Sequence, residues 1–255
     1  VHEHYLEPTW HFNYIGLEWI KPLPGQGMLY VYLLLSALGL CIMLGWHYKL
    51  VMTLFFLLFG YCFFSEKTHY LNHHYLIFLV SGLMVFLPAH RKVSLDVRRR
   101  PELEQTAVPN WTVWLLRAQL IIVYFYAGIA KVQPDWLAGR PVAIWMSRKA
   151  DYPLIGQWLA REEMVWFMSW GGMLFDLLIA WGLLWRRTRV AAFVLAVLFH
   201  LFNSVVFRVG VFPWFMIFAT VHFFEPEQLA RWFFKVRVQA ERIAATDLHL
   251  TPRKV

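Results

Sequence analysis

Cysteine and charged residues are scarce in this sequence. It has 2 cysteines in 255 residues, and aspartate, glutamate, lysine and arginine make up 16% of it, compared with about 25% in soluble domains. Cys41 and Cys62 lie inside apolar runs, at depths that would differ by roughly 10 Å along two neighbouring helices. These features argue against a disulfide-stabilised domain and against a zinc site.

Apolar and aromatic residues dominate instead. Hydrophobic residues make up 59% of the chain and aromatic residues 18%, with 14 tryptophans. This composition predicts a polytopic membrane protein. The net charge of +8 does not indicate binding to nucleic acid, because the basic residues occur in short runs between apolar segments, as the positive-inside rule describes.

Seven apolar segments predict an all-α, polytopic transmembrane helical bundle. Several are shorter than the ~20 residues of an upright spanning helix, so we expect some of them to tilt or to extend into flanking aromatic residues. Residues 132–164 are dotted with proline and tryptophan, which predicts interfacial helices. The seven segments are 28–46, 48–64, 72–88, 111–131, 165–185, 190–207 and 211–224.

Basic residues are distributed unequally between the two ends of these segments. The loops on one side carry 15 of the 24 lysines and arginines, including the cluster within 91–100 and the tail 229–255, whereas the loops on the other side carry 8. The positive-inside rule therefore predicts that the basic loops and the tail are cytoplasmic.

Three groups of polar residues are predicted to share one depth at the outer side of the bundle. Asn72 and His73 begin the third segment, Lys131 ends the fourth, and His200 and Asn203 lie in the outer half of the sixth. Ionisable groups in spanning segments are costly, which makes each a functional candidate. Each also has a structural interpretation, in which the lysine snorkels to the headgroups and the other side chains form interhelical hydrogen bonds.

Arg117 and Asp176 are predicted to lie deeper, nearer the cytoplasm. Counted from the cytoplasmic ends of their segments, their depths are roughly 9 Å and 14 Å. A long arginine side chain can bridge that difference, and either charge is costly alone. The sequence therefore predicts a structural ion pair between them.

The spacing H-x-x-x-H-H at His69, His73 and His74 is that of a di-iron box in membrane desaturases. Those enzymes need several such boxes, and this is the one box in the sequence. Haem ligation would need histidines that face each other, such as His73 and His200. We expect no metal site.

The run RAQLIIVYFYAGIAKVQPDW, residues 117–136, resembles the central motif of the vitamin K-dependent gamma-carboxylases, members of the HTTM (horizontally transferred transmembrane) family. The resemblance covers most of residues 20–228, in order. Its opening segments, YLEP and EWIKPLP, resemble bacterial members, which implies a bacterial inner membrane with the polar layer on the periplasmic side. Further matching stretches are NHHYL at 72–76, GGMLFD at 171–176, FHLFNS at 199–204 and FRVGVF at 207–212.

The resemblance implies a reaction. The family enzyme oxidises reduced vitamin K with O2 to the 2,3-epoxide, and the strong base formed on the way removes a gamma proton from glutamate, whose carbanion attacks CO2. Lys131 matches the base that deprotonates the hydroquinone, and His73 and His200 match histidines around the quinone. The implied co-substrates are a menaquinol-type or phylloquinol molecule, O2 and CO2, with neither metal nor flavin. Further residues expected at the quinone are Asn72, Asn203, Tyr124 and Trp136.

The chain also departs from the family pattern. Ala130 precedes Lys131 where vertebrate members have a second lysine, and Trp170 stands where they have histidine. Family members continue into an outer domain that binds the glutamate peptide. We expect residues 1–228 to form the transmembrane domain without the first family helix, and 229–255 to form a basic tail or linker.

Three functions follow from these observations and stay open at this point. The protein is a gamma-glutamyl carboxylase, a quinol-epoxidising homologue without carboxylation, or a non-catalytic lipid- or quinone-binding or transport protein. The expected partners are membrane lipids, a quinone and, for a carboxylase, a glutamate-containing peptide. The sequence leaves open which quinone is used and whether the chain forms homo-oligomers.

Overall fold

The computed structural model describes residues 11–207, 209–226 and 228–229, and it confirms the all-α class. The predicted tail lies outside the described residues from position 230 onward. The α-helices of the described part are α1 Gly27–Leu44, α2 Tyr48–Ser65, α3 Asn72–Phe86, α4 Leu95–Arg99, α5 Asn110–Ala130, α6 Pro134–Leu137, α7 Arg140–Ser147, α8 Gly156–Leu159, α9 Glu162–Leu184, α10 Arg189–Val206 and α11 Phe212–Thr220.

Within these described residues, five helices are long and apolar enough to cross a membrane, namely α1, α2, α5, α9 and α10. They coincide with the first, second, fourth, fifth and sixth predicted segments. The third and seventh segments coincide with shorter helices, α3 with 15 residues and α11 with 9. The predicted count of seven spans is therefore not confirmed, although each predicted segment is helical.

The chain divides into two units, residues 1–119 and 120–255. In the first unit, glycines allow α2 and α3 to pack closely. A Cβ atom added to Gly60 would lie 2.8 Å from the ring of Phe78, and one added to Gly82 would lie 2.9 Å from the ring of Phe56. The two rings stack with their centroids 4.8 Å apart. Small residues thus bring two apolar helices together, as is usual in membrane proteins.

Asp96, on the short helix α4 that follows α3, joins the connection after α3 to the turn between α1 and α2. Its carboxylate accepts hydrogen bonds from the backbone nitrogens of His47, at 2.8 Å, and Tyr48, at 2.9 Å. These donors belong to the start of α2, where a helix leaves N–H groups unpaired and favours negative charge. The two connections therefore lie at the same end of this unit, as alternating spans require.

Glu66 occupies the opposite end of the first unit, between α2 and α3. Its carboxylate accepts hydrogen bonds from the backbone nitrogens of Phe12 and Thr68 and from the Thr68 hydroxyl, and lies 2.8 Å from Nδ1 of His11. Burial raises the pKa of this carboxyl, but the hydrogen bonds outweigh burial, so its pKa lies below the ordinary glutamate value.

In the second unit, the three short helices α6, α7 and α8 lie within the region predicted to form interfacial helices. Buried side chains of α7 and α8 pack against the start of α9 and the last turn of α10. This cluster consists of Val142, Met146, Leu159, Val165 and Val206. The predicted helices are present, and their location at a membrane surface stays a prediction.

Candidate functional site

Helices α5 and α9 approach each other closely at Gly128. A Cβ atom at this position would lie 2.6 Å from Leu177 Cδ2 and 2.9 Å from the Leu177 backbone nitrogen. Glycine is therefore required for this helix contact. Because Lys131 follows Gly128 by three residues and Asp176 immediately precedes Leu177, the contact brings the end of α5 beside the middle of α9.

Lys131 directly follows α5, and its side chain turns back along that helix. Its Nζ donates to the carbonyl oxygen of Ala127, at 3.1 Å, and to Oδ2 of Asp176, at 2.5 Å. The side chains of the lysine and the aspartate are 20% and 8% exposed. The lysine thus forms one half of a largely buried ion pair, in contrast to the alternative in which it snorkels to the headgroups.

This ion pair corrects the predicted partner of Asp176. The sequence predicts pairing with Arg117, whereas the structure shows the carboxylate paired with Lys131. Arg117 belongs to the first unit, where it is 8% exposed and its guanidinium carbon lies 5.3 Å from the centroid of the Trp114 ring. Asp176 is therefore part of the site that contains Lys131, and Lys131 is the partner of this buried charge.

The register of α9 explains the correction. This helix starts at Glu162, and Ser169, two turns further along, is hydrogen-bonded to Trp136 just beyond the end of α5. The first two turns of α9 therefore extend past the end of α5. Asp176 lies two turns beyond Ser169. A depth counted from the other end of α9 therefore places Asp176 too far from Lys131.

Two tryptophans attach the segment after Lys131 to α9. Trp136 Nε1 donates to the carbonyl oxygen of Ser169 at 2.9 Å, and the Ser169 hydroxyl donates to that of Trp136 at 2.5 Å. Trp170 Nε1 donates to the carbonyl oxygen of Leu137 at 3.2 Å. The Trp136 ring centroid also lies 5.1 Å from Lys131 Nζ, within cation–π range. Trp136, predicted to bind the quinone, therefore contacts the candidate base itself.

His200, on α10, forms a second polar pair with Tyr124, on α5. The imidazole is 2% exposed, and its Nε2 lies 2.9 Å from the tyrosine hydroxyl. Its Nδ1 is also buried, and it has no hydrogen-bond partner in the part of the chain that the structure describes. Since buried polar atoms normally have a partner, this nitrogen is a position where a bound molecule would complete a hydrogen bond.

Aromatic rings surround the pair of His200 and Tyr124. Phe175, next to Asp176 on α9, has its ring centroid 6.0 Å from that of Tyr124 and 6.3 Å from that of His200. It also stacks on Phe199 at 3.8 Å. The histidine pair therefore lies in apolar surroundings, where electrostatic interactions are stronger than in water.

The remaining predicted residues lie on α3 and α10. Asn203 is half-buried, one turn after His200 on α10, and Asn72 and His73 are the first two residues of α3 in the first unit. Asn72 is exposed, and the half-buried ring of His73 lies 4.7 Å from that of His74. Their predicted role at a quinone stays a prediction.

Three residues that build this site were not predicted from the sequence. Gly128 lies in the small-residue run Ala-Gly-Ile-Ala, a pattern typical of close packing between membrane helices. Ser169 is a polar residue in an apolar segment, which indicates an interhelical hydrogen bond. Phe175 has no signal that distinguishes it from the other phenylalanines, of which the chain has 22 in all.

The geometry of the lysine pair allows a proton to be exchanged. At 2.5 Å between Nζ of Lys131 and Oδ2 of Asp176, one transfer converts ammonium and carboxylate into amine and carboxylic acid. The site therefore combines a close ammonium–carboxylate pair with a histidine that has an open hydrogen-bonding position in the described part of the chain.

Comparison with known proteins places these residues in a family. No solved structure matches the chain, but the family model of the HTTM domain matches residues 1–228. The matched region contains every residue of the candidate site. The HTTM domain is the domain of the vitamin K-dependent gamma-carboxylase family. The chain therefore belongs to the HTTM domain family, as its motif at residues 117–136 predicts.

Proposed function

We propose that this protein oxidises a vitamin K-type hydroquinone and uses the strong base formed during that oxidation to carboxylate protein glutamate. In the overall reaction, hydroquinone and O2 give the 2,3-epoxide and water, while glutamate and CO2 give gamma-carboxyglutamate. The observation that carries the proposal is the ion pair between Lys131 and Asp176. Membership in the HTTM domain family supports the choice of substrate.

Lys131 is the proposed base for the hydroquinone. A lysine accepts a proton only as a neutral amine, and Asp176 is placed to take the ammonium proton across the 2.5 Å contact. The amine then accepts a hydroxyl proton from the hydroquinone, which leaves an electron-rich phenolate for the reaction with O2. A positioned general base contributes about 10²- to 10⁴-fold to a rate.

His200 is the proposed hydrogen-bonding partner of the substrate oxygen. When the Tyr124 hydroxyl donates to Nε2, the proton of the neutral imidazole lies on the buried Nδ1, the atom that has no partner in the described part of the chain. A donor fixed in this way stabilises negative charge on the phenolate. The aromatic residues around it exclude water from a strongly basic intermediate.

The family motif supports three further assignments. We place Asn72, His73 and Asn203 around the same quinone, with menaquinol or phylloquinol as the substrate class and without a metal or flavin. We also place the site at the periplasmic side of a bacterial inner membrane, where the positive-inside rule puts the loops with fewer basic residues. The glutamate-containing peptide would reach the site from that side.

The test compares Lys131→Ala with Lys131→Arg in the full chain. Arginine keeps the positive charge beside Asp176 but does not lose its proton in proteins. We expect both variants to lose at least about 100-fold in epoxide formation from vitamin K hydroquinone and O2, while Lys131→Arg unfolds at nearly the same temperature as the unaltered protein. Lys67→Ala, which removes an exposed lysine, should retain full activity.

Labelled CO2 separates the possible functions. Label in a glutamate peptide, together with epoxide, supports the carboxylase. Epoxide without label would identify a quinol-epoxidising homologue, and quinone that is bound but unchanged would identify a binding or transport protein. Full epoxide formation by Lys131→Arg would overturn the assignment of Lys131 as the base.

A further inference from the structure

A cavity of about 610 Å³ lies at the basic end of the first unit, and none of its lining residues takes part in the proposed reaction. It lies where α3 ends and α5 begins, beside the start of α2. Its volume is within the range of small-ligand sites. The residues that define its chemistry are Lys49, Arg91, Gln105, Thr112, Phe86 and Trp111.

The charge in this cavity has one sign. Lys49 and Arg91 both line it, and the described residues around it include no aspartate or glutamate. The positive end of the α5 helix dipole also lies here, since Trp111 and Thr112 belong to the first turn of α5. These features together favour an anion.

Arg91 is held in place by its backbone. Its nitrogen donates to the carbonyl oxygen of Pro88 at 3.2 Å, and its carbonyl oxygen accepts from Gln105 N at 2.7 Å. One guanidinium nitrogen donates to the carbonyl oxygen of Leu103. The Nε atom is buried and has no hydrogen-bond partner in the described part of the chain, which indicates a missing acceptor.

Lys49 is fixed by the end of α3. Its ammonium group donates to the carbonyl oxygens of Val85, at 2.6 Å, and Leu87, at 3.2 Å. An ammonium group has three donors, so within the described residues one of them remains for another acceptor. Phe86 and Trp111, which also line the cavity, are 75% and 57% exposed. Trp111 lies at the start of the spanning helix α5, and tryptophan in such a position is typical of the membrane interface.

We propose that this cavity binds the phosphate of an anionic phospholipid headgroup, with Arg91 and Lys49 as the cationic contacts and Phe86 and Trp111 beside the acyl chains. Basic pockets between membrane helices bind headgroups in this way. The loop that carries Arg91 is also the loop predicted to be cytoplasmic, where anionic lipids attract basic segments.

Native mass spectrometry of the full chain in detergent tests the proposal, with phosphatidylglycerol and phosphatidylcholine as probes. We expect about tenfold tighter binding of phosphatidylglycerol. Arg91→Ala should weaken it about fivefold, Arg91→Lys should weaken it less, and the neighbouring Lys92→Ala should leave it unchanged. Lys92 is the matched control, because it is exposed and does not line the cavity.

A second variant tests the cavity without changing charge. Ala107 lines the cavity, and Ala107→Trp should reduce phosphatidylglycerol binding by filling it, even if Arg91→Ala does not fold. Equal binding of the two lipids would overturn the proposal, as would equal losses in Arg91→Ala and Lys92→Ala. Displacement of the lipid by excess inorganic phosphate would overturn the lipid assignment and identify a site for soluble phosphate.

Discussion

Glu66 in the first unit and Asp176 in the second are both buried carboxylates, but their partners differ. Glu66 accepts hydrogen bonds from Phe12 and from both the backbone and hydroxyl of Thr68, and lies beside His11. In the described part of the chain, the ionic partner of Asp176 is Lys131. One carboxylate is surrounded by several donors, whereas the other depends on a single ammonium group.

This difference separates a structural carboxylate from a chemically useful one. Several hydrogen bonds keep Glu66 ionised and join the segment around Phe12 to the connection between α2 and α3. In the proposed reaction, the ammonium partner of Asp176 gives its proton to that carboxylate, which leaves a neutral amine. The same residue class therefore stabilises a chain connection in the first unit and, as we propose, prepares a base in the second.

Removing Lys131 is expected to have the largest effect on stability. Lys131→Ala leaves Asp176 buried without its cation, and breaking a buried ion pair in this way costs about 3 kcal/mol or more. Unfolding of the detergent-solubilised protein, followed by circular dichroism, measures this loss. The same truncation at the exposed Lys67 should change stability by less than about 0.5 kcal/mol.

The double variant Lys131→Ala/Asp176→Ala tests whether the two residues act together. It removes both charges, so we expect it to be more stable than Lys131→Ala alone. If the double variant is instead less stable by the sum of the two single losses, the pair has no coupling energy. Asp176 would then resemble Glu66 in having its charge balanced by other groups.

Gly128→Ala should separate the two halves of the lysine pair. The added Cβ would meet Leu177 at 2.6 Å and 2.9 Å, and overpacking of this kind costs about 2 kcal/mol. We expect a lower unfolding temperature and slower epoxide formation. Gly172→Ala on α9, where a Cβ atom meets nothing within 4 Å, is the control and should be neutral or stabilising, and an equal loss there would contradict the packing argument.

The sequence predicts the helices of this fold well, because apolar runs that cross a membrane must satisfy their backbone hydrogen bonds internally. It also selects Lys131 and His200 as candidate residues, and the structure shows that each forms a polar pair in the second unit. The sequence also names Trp136 and Tyr124 as quinone-binding residues, which stays a prediction, and the structure adds that they lie beside the lysine and the histidine. These predictions depend on residue type and on position along a helix.

The partner of Asp176 could not be predicted, because it depends on the position of α9 along the axis of α5. Depth counted within one apolar segment assumes that both ends of the segment lie at the membrane boundary. The bonds between Ser169 and Trp136 show that α9 extends beyond the end of α5. The unpartnered Nδ1 of His200, in the described part of the chain, is likewise a property of side-chain packing that a sequence pattern does not contain.

Ser169→Ala should have an intermediate effect on stability, because it removes a hydrogen bond that fixes the position of α9 relative to α5 but removes no charge. The variant loses the hydrogen bond to the Trp136 carbonyl, which is worth about 1 kcal/mol, and should raise the unfolding rate accordingly. Ser147→Ala is the control, since that exposed hydroxyl bonds within its own turn to Ile144. Equal effects of the two substitutions would show that the bond between Ser169 and Trp136 does not set the register.

The smallest expected effect is the pH dependence that Glu66 contributes. Burial raises the pKa of Glu66, but its hydrogen bonds lower it further, so the folded pKa lies below that of unfolded glutamate, about 4.3. The stabilisation is therefore complete above that pH and is lost as the pH falls through the folded pKa.

Glu66→Gln does not titrate, so its unfolding temperature should fall less than that of the unaltered protein between about pH 5 and pH 3. Glu102→Gln, at an exposed position, is the control and should behave as the unaltered protein does. Identical pH profiles for Glu66→Gln and the unaltered protein would mean that these donors do not favour the ionised carboxylate, which would remove the contrast with Asp176.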